Sequence, residues 1–371
     1  MTNDKLQEID RRLIKLLGER ISLLGESNVP SVAEQLSQVK SQLTDAGVPE
    51  FVWQDVATSC TAALATVTPA SPVTNSPKNV TIVGGKGVMG QFFQQRLSVA
   101  GHCVKTLGRK DWDKAEELLA DADLVLICVP IDRTIEIIRD LAPYIPPSAV
   151  LADITSIKAP IVETMLACHS GPVVGLHPMF GPGVQSFLSQ KVVICPGRND
   201  EACQWLQDFM AADGGDLVVC TPEEHDRMMV AVQAIRHFST FGLGVFLAEE
   251  GIDIGRSLEL SSPIYRLGIN NVSRLFGQEG SLYIEIMLST EDRRKAIARL
   301  AETFVRLAQL VEHEDRSSLL DEFKQTTNTF GAETDRAVKE SDRTIAALSV
   351  LLAADFVERR SRYFPDRPEP R

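Results

Sequence analysis

The sequence predicts an α/β protein in which a parallel sheet follows a small helical domain and precedes an all-helical one. Three observations lead there. Between residues 79 and 220, short apolar runs at 80–83, 102–107, 123–130, 149–154, 173–176, 192–195 and 217–220 alternate with helical stretches. Runs of that length, rich in β-branched residues and bounded by turn residues, suit strands buried on both faces of a parallel sheet. Outside that span the apolar residues recur at helical spacing instead. Finally, 371 residues with 44% hydrophobic content are enough for two or three packed domains.

Composition sets limits on function. A net charge of −12 argues against nucleic acid or a membrane surface as a general partner, so an anionic ligand must be met by a few local cations. The chain has no basic-then-apolar opening and no run of some twenty apolar residues, which leads us to expect a cytoplasmic protein. Its seven cysteines, Cys60, Cys103, Cys128, Cys168, Cys195, Cys203 and Cys220, are scattered without a C-x-x-C pair. They read as reduced core thiols, and no metal site is expected.

In chain order, residues 5–24 place Leu6, Ile9, Leu13, Leu16, Leu17 and Leu24 on one side of a helix and Asp10, Arg11, Lys15 and Glu19 on the other. Two more helices are expected at 32–46 and 51–67, and the proline-rich run that follows reads as a linker. We therefore divide the chain into a helical domain 1–68, a linker 69–78, a nucleotide-binding domain 79–220 and a helical domain 221–371. After the first strand, Gly85-Lys86-Gly87-Val88-Met89-Gly90 has the spacing of a dinucleotide-binding loop, which makes the sheet Rossmann-type. The first glycine is expected to permit the turn, the second to let the backbone approach a pyrophosphate, and the third to let helix pack on strand. Val129 and Pro130, ending the third strand, complete the expected cofactor contacts. The second strand ends in Leu107-Gly108-Arg109-Lys110, without the acid that holds the ribose hydroxyls of NAD. Arg109 and Lys110 favour NADP; the opposing reading makes them solvated turn residues and gives the acid's role to Asp111.

Further along, Ser156 and Lys158 end the fourth strand, where Ser156 suits either a helix cap or a site hydroxyl and Lys158 suits an anion or the nicotinamide side. His177 lies in Gly175-Leu-His-Pro-Met-Phe-Gly-Pro182 at the carboxyl end of a strand, where ligands bind in open α/β folds. It reads equally as a general acid or base and as a turn cap. Thr221-Pro-Glu-Glu224 starts a helix expected to pass residue 248, on which Gln233 and His237 share a face. Ser262-Pro263 starts another, where Arg266, Asn270 and Arg274 form a stripe that fits either a carboxylate or solvent. Helices are also expected over 291–314, 317–330 and 333–360.

The segments His177-Pro-Met-Phe-Gly-Pro182, Gln233-Ala-Ile-Arg-His-Phe-Ser-Thr-Phe241 and Ser261-Ser-Pro-Ile-Tyr-Arg-Leu267 together resemble the prephenate dehydrogenases. From residue 5 to about 330 the chain is similar to the form of that family fused to a chorismate mutase. The resemblance implies that His177 accepts the proton of the C4 hydroxyl while hydride leaves that carbon, and that Ser156 orients this pair. It implies that Arg274 binds the ring carboxylate, that Gln233 and His237 face the substrate, and that the second helical domain forms a homodimer. Arogenate dehydrogenase and an inactive scaffold are the competing functions. The mutase chemistry is expected to be lost: aligned on the family, its first-helix arginine falls on Asn3, its lysine-bearing segment is missing around 26–29, and its Arg-Glu pair falls on Ser31-Val32, leaving Arg20.

Overall fold

The computed structural model describes residues 2–26, 29–65, 76–181, 183–331 and 333–363. Most of the expected linker, Pro182 and part of the segment around 26–29 lie outside them. The chain forms two compact units, Met1–Asp226 and Arg227–Arg371.

The first unit opens with helices α1 (Thr2–Gly25), α2 (Val32–Asp45) and α3 (Glu50–Ala63). Ser31 caps α2: its hydroxyl accepts from the Glu34 N–H while the Glu34 carboxylate accepts from the Ser31 N–H. Arg20 donates to the side-chain Oε1 of Gln35, and its guanidinium lies 5.2 Å from the centre of the Trp53 ring. On α1 the apolar side chains Leu6, Ile9, Leu13 and Leu16 keep half or more of their surface open.

A sheet of seven strands follows, ordered β2-β1-β3-β4-β5-β6-β7. They are β1 (Asn79–Val83), β2 (Cys103–Leu107), β3 (Leu124–Ile127), β4 (Val150–Asp153), β5 (Val173–Pro178), β6 (Lys191–Arg198) and β7 (Asp216–Val219). Every residue of β3, β4 and β5 is buried, as the continuous apolar runs require. Helices α4 (Val88–Val99), α5 (Ala115–Leu119), α6 (Ile131–Leu141), α7 (Ala159–Cys168) and α8 (Gln204–Ala212) make two cores with the strands. Phe93 and Leu97 of α4 join one core, and Ile138, Leu141 and Met165 join the other.

The sheet departs from the expected parallel pattern at one place. Strand β6 runs antiparallel to β5, with His177 opposite Val193. Among the described residues no helix crosses the sheet between them, so the chain returns beside the strand it has left, and parallel pairing needs a crossover.

The glycine loop differs from expectation in the division of labour. The left-handed residue is Gly84, at φ +84°, where a Cβ would stand 2.2 Å from the Cys128 carbonyl oxygen. Gly85 instead lies against Thr106, and Gly90 packs so closely on the Gly84 and Gly85 backbone that a Cβ there would stand 2.6 Å from the Gly84 carbonyl oxygen. The turn therefore begins one residue before the motif.

Among the described residues the second unit is helical. Helix α9 (Pro222–Met229) passes into a π-helical segment (Val230–Ile235) and then α10 (Arg236–Glu249), and the two units divide within α9. The whole stretch Pro222–Glu249 is long and apolar enough to cross a membrane by length and composition, a test that soluble core helices also pass. After it come α11 (Ile254–Glu259), α12 (Pro263–Phe276), α13 (Gly280–Leu288), α14 (Glu291–Glu312), α15 (Arg316–Phe330) and α16 (Glu333–Tyr363). Ser262 caps α12, accepting from the Tyr265 N–H. Gly244 lets α10 approach α12 closely, since a Cβ there would meet Phe276 at 2.1 Å.

These contacts give the glycines different sensitivities. Gly84→Ala is expected to destabilise the protein by about 2 kcal/mol or more, from the disfavoured backbone and the clash together. Gly87→Ala, at φ −71° with 3.3 Å to the nearest atom, is expected to cost less than about 1 kcal/mol. Thermal or urea unfolding measures both, and equal losses would contradict this assignment.

Candidate active site

The carboxyl ends of β1, β2 and β3 build a cradle. Helix α4 starts from Gly87 with no side chain capping it and no acid in its first turn, so its N-terminal N–H groups suit an anion. Lys86 and Val88 are exposed beside it, and Met89 is half-buried. Val129, half-buried, comes within 3.0 Å of where a Gly84 Cβ would stand, and exposed Pro130 follows it. These residues fit the phosphates of a dinucleotide. At the end of β2, Arg109 and Lys110 are exposed, while the Asp111 carboxylate accepts the Gly108 N–H at 3.0 Å. Both the cations and the acid weighed for the ribose are thus near the strand end.

His177 occupies the last turn of pleat in β5 and is 3% exposed. Three residues later, Phe180 packs edge-on against Phe92 of α4 with ring centres 5.2 Å apart, which ties the loop after the histidine to the helix after the glycines. The Nδ1 atom of His177 lies 2.7 Å from Nε2 of His225. His225 is 1% exposed, and its Nδ1 lies 2.8 Å from Oδ1 of Asp226. The same carboxylate accepts the N–H groups of Lys158 at 2.8 Å and Ala159 at 2.9 Å, so it caps α7 from another part of the chain. Burial works to raise the Asp226 carboxyl, but the hydrogen bonds from His225, Lys158 and Ala159 outweigh it and hold the group below the usual carboxylate range.

Ser156 is half-buried in the bend between β4 and α7. The helix cap suggested for it is supplied by Asp226.

Lys158 requires a correction. Its ammonium is fully buried and ion-paired with Asp153, with the Thr155 hydroxyl 3.3 Å away. Burial pulls the ammonium below its ordinary range, against the opposing pull of Asp153. Asp153 also accepts the Thr155 N–H at 2.8 Å, which closes the turn. The lysine therefore holds the β4–α7 turn from beneath rather than reaching a ligand.

In the second unit, Gln233 and His237 are both buried, and Gln233 lies in the π-helical segment, a geometry frequent at functional sites. Burial, with Arg236 and Arg293 nearby, brings the His237 imidazole down to about 4, so it is neutral at physiological pH. Its ring meets Tyr283 edge-on, and its Nδ1 is buried with no hydrogen-bond partner among the described residues. Arg274 is exposed on α12. Arg266 turns back toward the Leu258 carbonyl at 3.4 Å, so the stripe does not act as one surface.

Sequence reasoning missed Gly84, His225 and Asp226. The segment Glu223-Glu224-His225-Asp226 reads as the acidic first turn of a helix. Only a histidine next to a carboxylate hinted at more, and its partner is 48 residues away.

Family models for the nucleotide-binding domain and the dimerization domain of prephenate dehydrogenase match residues 98–220 and 221–325. The glycine loop precedes the first span, which contains Ser156 and His177; the second contains Gln233, His237 and Arg274. The chain is 37% identical to the T-protein of Enterobacter agglomerans over 360 residues, covering 91% of this chain and 94% of that one. The T-protein of Haemophilus influenzae is 39% identical over 262 residues, covering 71% and 70%. The crystal structure of a prephenate dehydrogenase from A. aeolicus, in complex with hydroxyphenyl propionate and NAD+, has a TM-score of 0.56 at 21% identity, over 68% of this chain and 97% of that chain. At that identity the likeness shows the fold. Two matched domains in sequence, and a relative aligned almost end to end, mean that this chain belongs to the prephenate dehydrogenase family.

Proposed function

We propose that this chain oxidises and decarboxylates prephenate to 4-hydroxyphenylpyruvate with a nicotinamide cofactor. The observation that carries the reading is a buried histidine at the carboxyl end of β5, on the sheet edge where the glycine cradle lies, in a chain of this family. His177 takes the proton of the C4 hydroxyl, with Ser156 orienting the pair. A nicotinamide bound at this edge supplies the acceptor for the hydride from that carbon. Loss of carbon dioxide then leaves an aromatic ring. Arg274 holds a carboxylate of the substrate, and Gln233 and His237 meet its side chain. A neutral His237 and an amide offer no negative partner for the ammonium group of arogenate, which favours prephenate.

Membership of a family with a dimerization domain supports an oligomer, and we propose a homodimer in the cytoplasm. In the second unit Leu243, Phe246 and Phe304, exposed by 46%, 55% and 51%, line an apolar groove of about 580 Å³. Apolar surface of this kind suits burial against a second copy.

The cofactor is proposed to be NADP. Arg109 offers a planar fork and Lys110 a point charge to a 2′-phosphate. Asp111, anchored on Gly108, supports the NAD reading, since a carboxylate at the strand end can bind the ribose hydroxyls. The three-helix segment is proposed to lack chorismate mutase activity. Ser31 is committed to capping α2, Val32 carries no charge, and Arg20 is engaged with Gln35.

Three measurements bear on these readings. His177→Asn should lower kcat with prephenate by about two to four orders of magnitude while KM changes little; near-normal turnover would reject the histidine's role. Comparison of kcat/KM for the two cofactors should favour NADP by about tenfold or more, as one charge-assisted contact allows, and Arg109→Ala with Lys110→Ala should abolish that preference. Equal or better efficiency with NAD would transfer the ribose to Asp111. Given chorismate, the purified protein should produce prephenate no faster than the uncatalysed rearrangement.

A further inference from the structure

The file of groups Asp226, His225 and His177 has a polarity that follows from hydrogen-bond accounting. Asp226 is ionised and accepts only: Oδ1 takes the Lys158 N–H and lies 2.8 Å from His225, while Oδ2 takes the Ala159 N–H. The Nδ1 atom of His225 must then carry a hydrogen. In a neutral His225 ring the Nε2 atom is the lone-pair nitrogen, and it lies 2.7 Å from Nδ1 of His177. That contact is a hydrogen bond only if His177 donates from Nδ1. The two rings are tilted by 68° with centres 5.0 Å apart, so they meet edge to face rather than stack. Nothing in this arrangement is left to rotate, because both rings are buried and the carboxylate is pinned by two backbone donors.

We propose that Asp226 and His225 are positioning residues for His177: the carboxylate sets the tautomer of the first ring, which sets the tautomer of the second. His177 is thereby held with Nδ1 protonated and Nε2 bare, the form that can accept a proton from a substrate hydroxyl. The opposite tautomer would offer a hydrogen to that hydroxyl and could not act as the base. When Nε2 takes the proton, the ring becomes an imidazolium in a buried position, with the Asp226 charge one ring away. A third group that orients the base and balances its charge in this way has a large effect in triad chemistry. The proposal rests on His177 being the base of the reaction proposed above.

The test uses the full chain labelled with ¹⁵N-histidine. Long-range ¹H–¹⁵N correlation distinguishes protonated from bare ring nitrogens, and the His177→Asn protein assigns the His177 signals among the six histidines. Both His177 and His225 should be protonated at Nδ1 and bare at Nε2. Protonation at Nε2 of either neutral ring overturns the proposal. Activity of two variants adds a second arm. His225→Gln places a carbonyl near the lost Nε2, can accept from His177, and should reduce kcat by about tenfold or less. His225→Phe preserves the ring but not the acceptor and should reduce kcat by about a hundredfold or more, with KM unchanged in both. A purely structural role predicts the reverse order, because phenylalanine fills the site better, and finding that order would overturn the proposal. If the phenylalanine protein does not fold, the tautomers of the unmodified protein and the glutamine variant decide. Failure of the unmodified protein to turn over prephenate would reject the function proposed above, while the spectra would still test the hydrogen-bond file.

Discussion

The carboxylate of Asp226 reaches across the first unit to the N-terminus of α7, 68 residues earlier in the chain. Its two oxygens satisfy two orphan N–H groups of that helix and place His225 against His177. A helix start, a strand end and a second helix are thereby fixed against one another by a single side chain. The β4–α7 turn, which carries Ser156, is gripped from above by Asp226 and from below by the buried Asp153–Lys158 pair. A fully buried ion pair contributes little net stability once desolvation is counted, yet breaking it by removing one partner costs several kcal/mol. Its value here is geometric, since it leaves the turn a single conformation.

The cofactor end follows a different principle. The cradle at β1 relies on absent side chains: Gly84, Gly85 and Gly90 each keep a Cβ out of a space already filled by backbone or by Thr106. Charge enters at its rim, through the cations Lys86, Arg109 and Lys110 and the single carboxylate of Asp111. In a chain of net charge −12, such a local cluster of cations gives an anionic ligand a preferred landing place.

Much of this architecture could be read from the sequence. The strands were legible because continuous apolar runs have few alternatives to burial in a parallel sheet, and His177 because it ends one of them. The antiparallel return of β6 was not, since periodicity carries no direction and only the absence of a crossover helix reveals it. Gly84 was hidden by the motif beside it, which draws the eye to the second glycine of the pair. The inward turn of Lys158 was hidden because its partner Asp153 was read as part of a strand. His225 and Asp226 lay outside any motif, and their meaning depends on contacts spanning 48 and 68 residues. Local patterns reveal elements and exposed chemistry; they do not reveal which polar group will be buried against which.

In the π-helical segment Val230–Ile235 each backbone hydrogen bond spans one more residue than in the α-helices that flank it. It behaves as an insertion stored inside a helix. Loss of any one residue there would let the ladder close as ordinary α-helix, at a gain in local hydrogen bonding. The same loss would leave α10 in nearly its present orientation, because about five residues of α-helix turn through the same angle as the six residues of this segment. The side chains inside the segment would be redistributed instead, so Gln233 would lose its present place relative to His237, although neither residue had been altered. Length, as well as composition, is therefore under constraint in this segment: a homologue shortened by one residue here keeps its sequence signature while losing the surface that the signature describes.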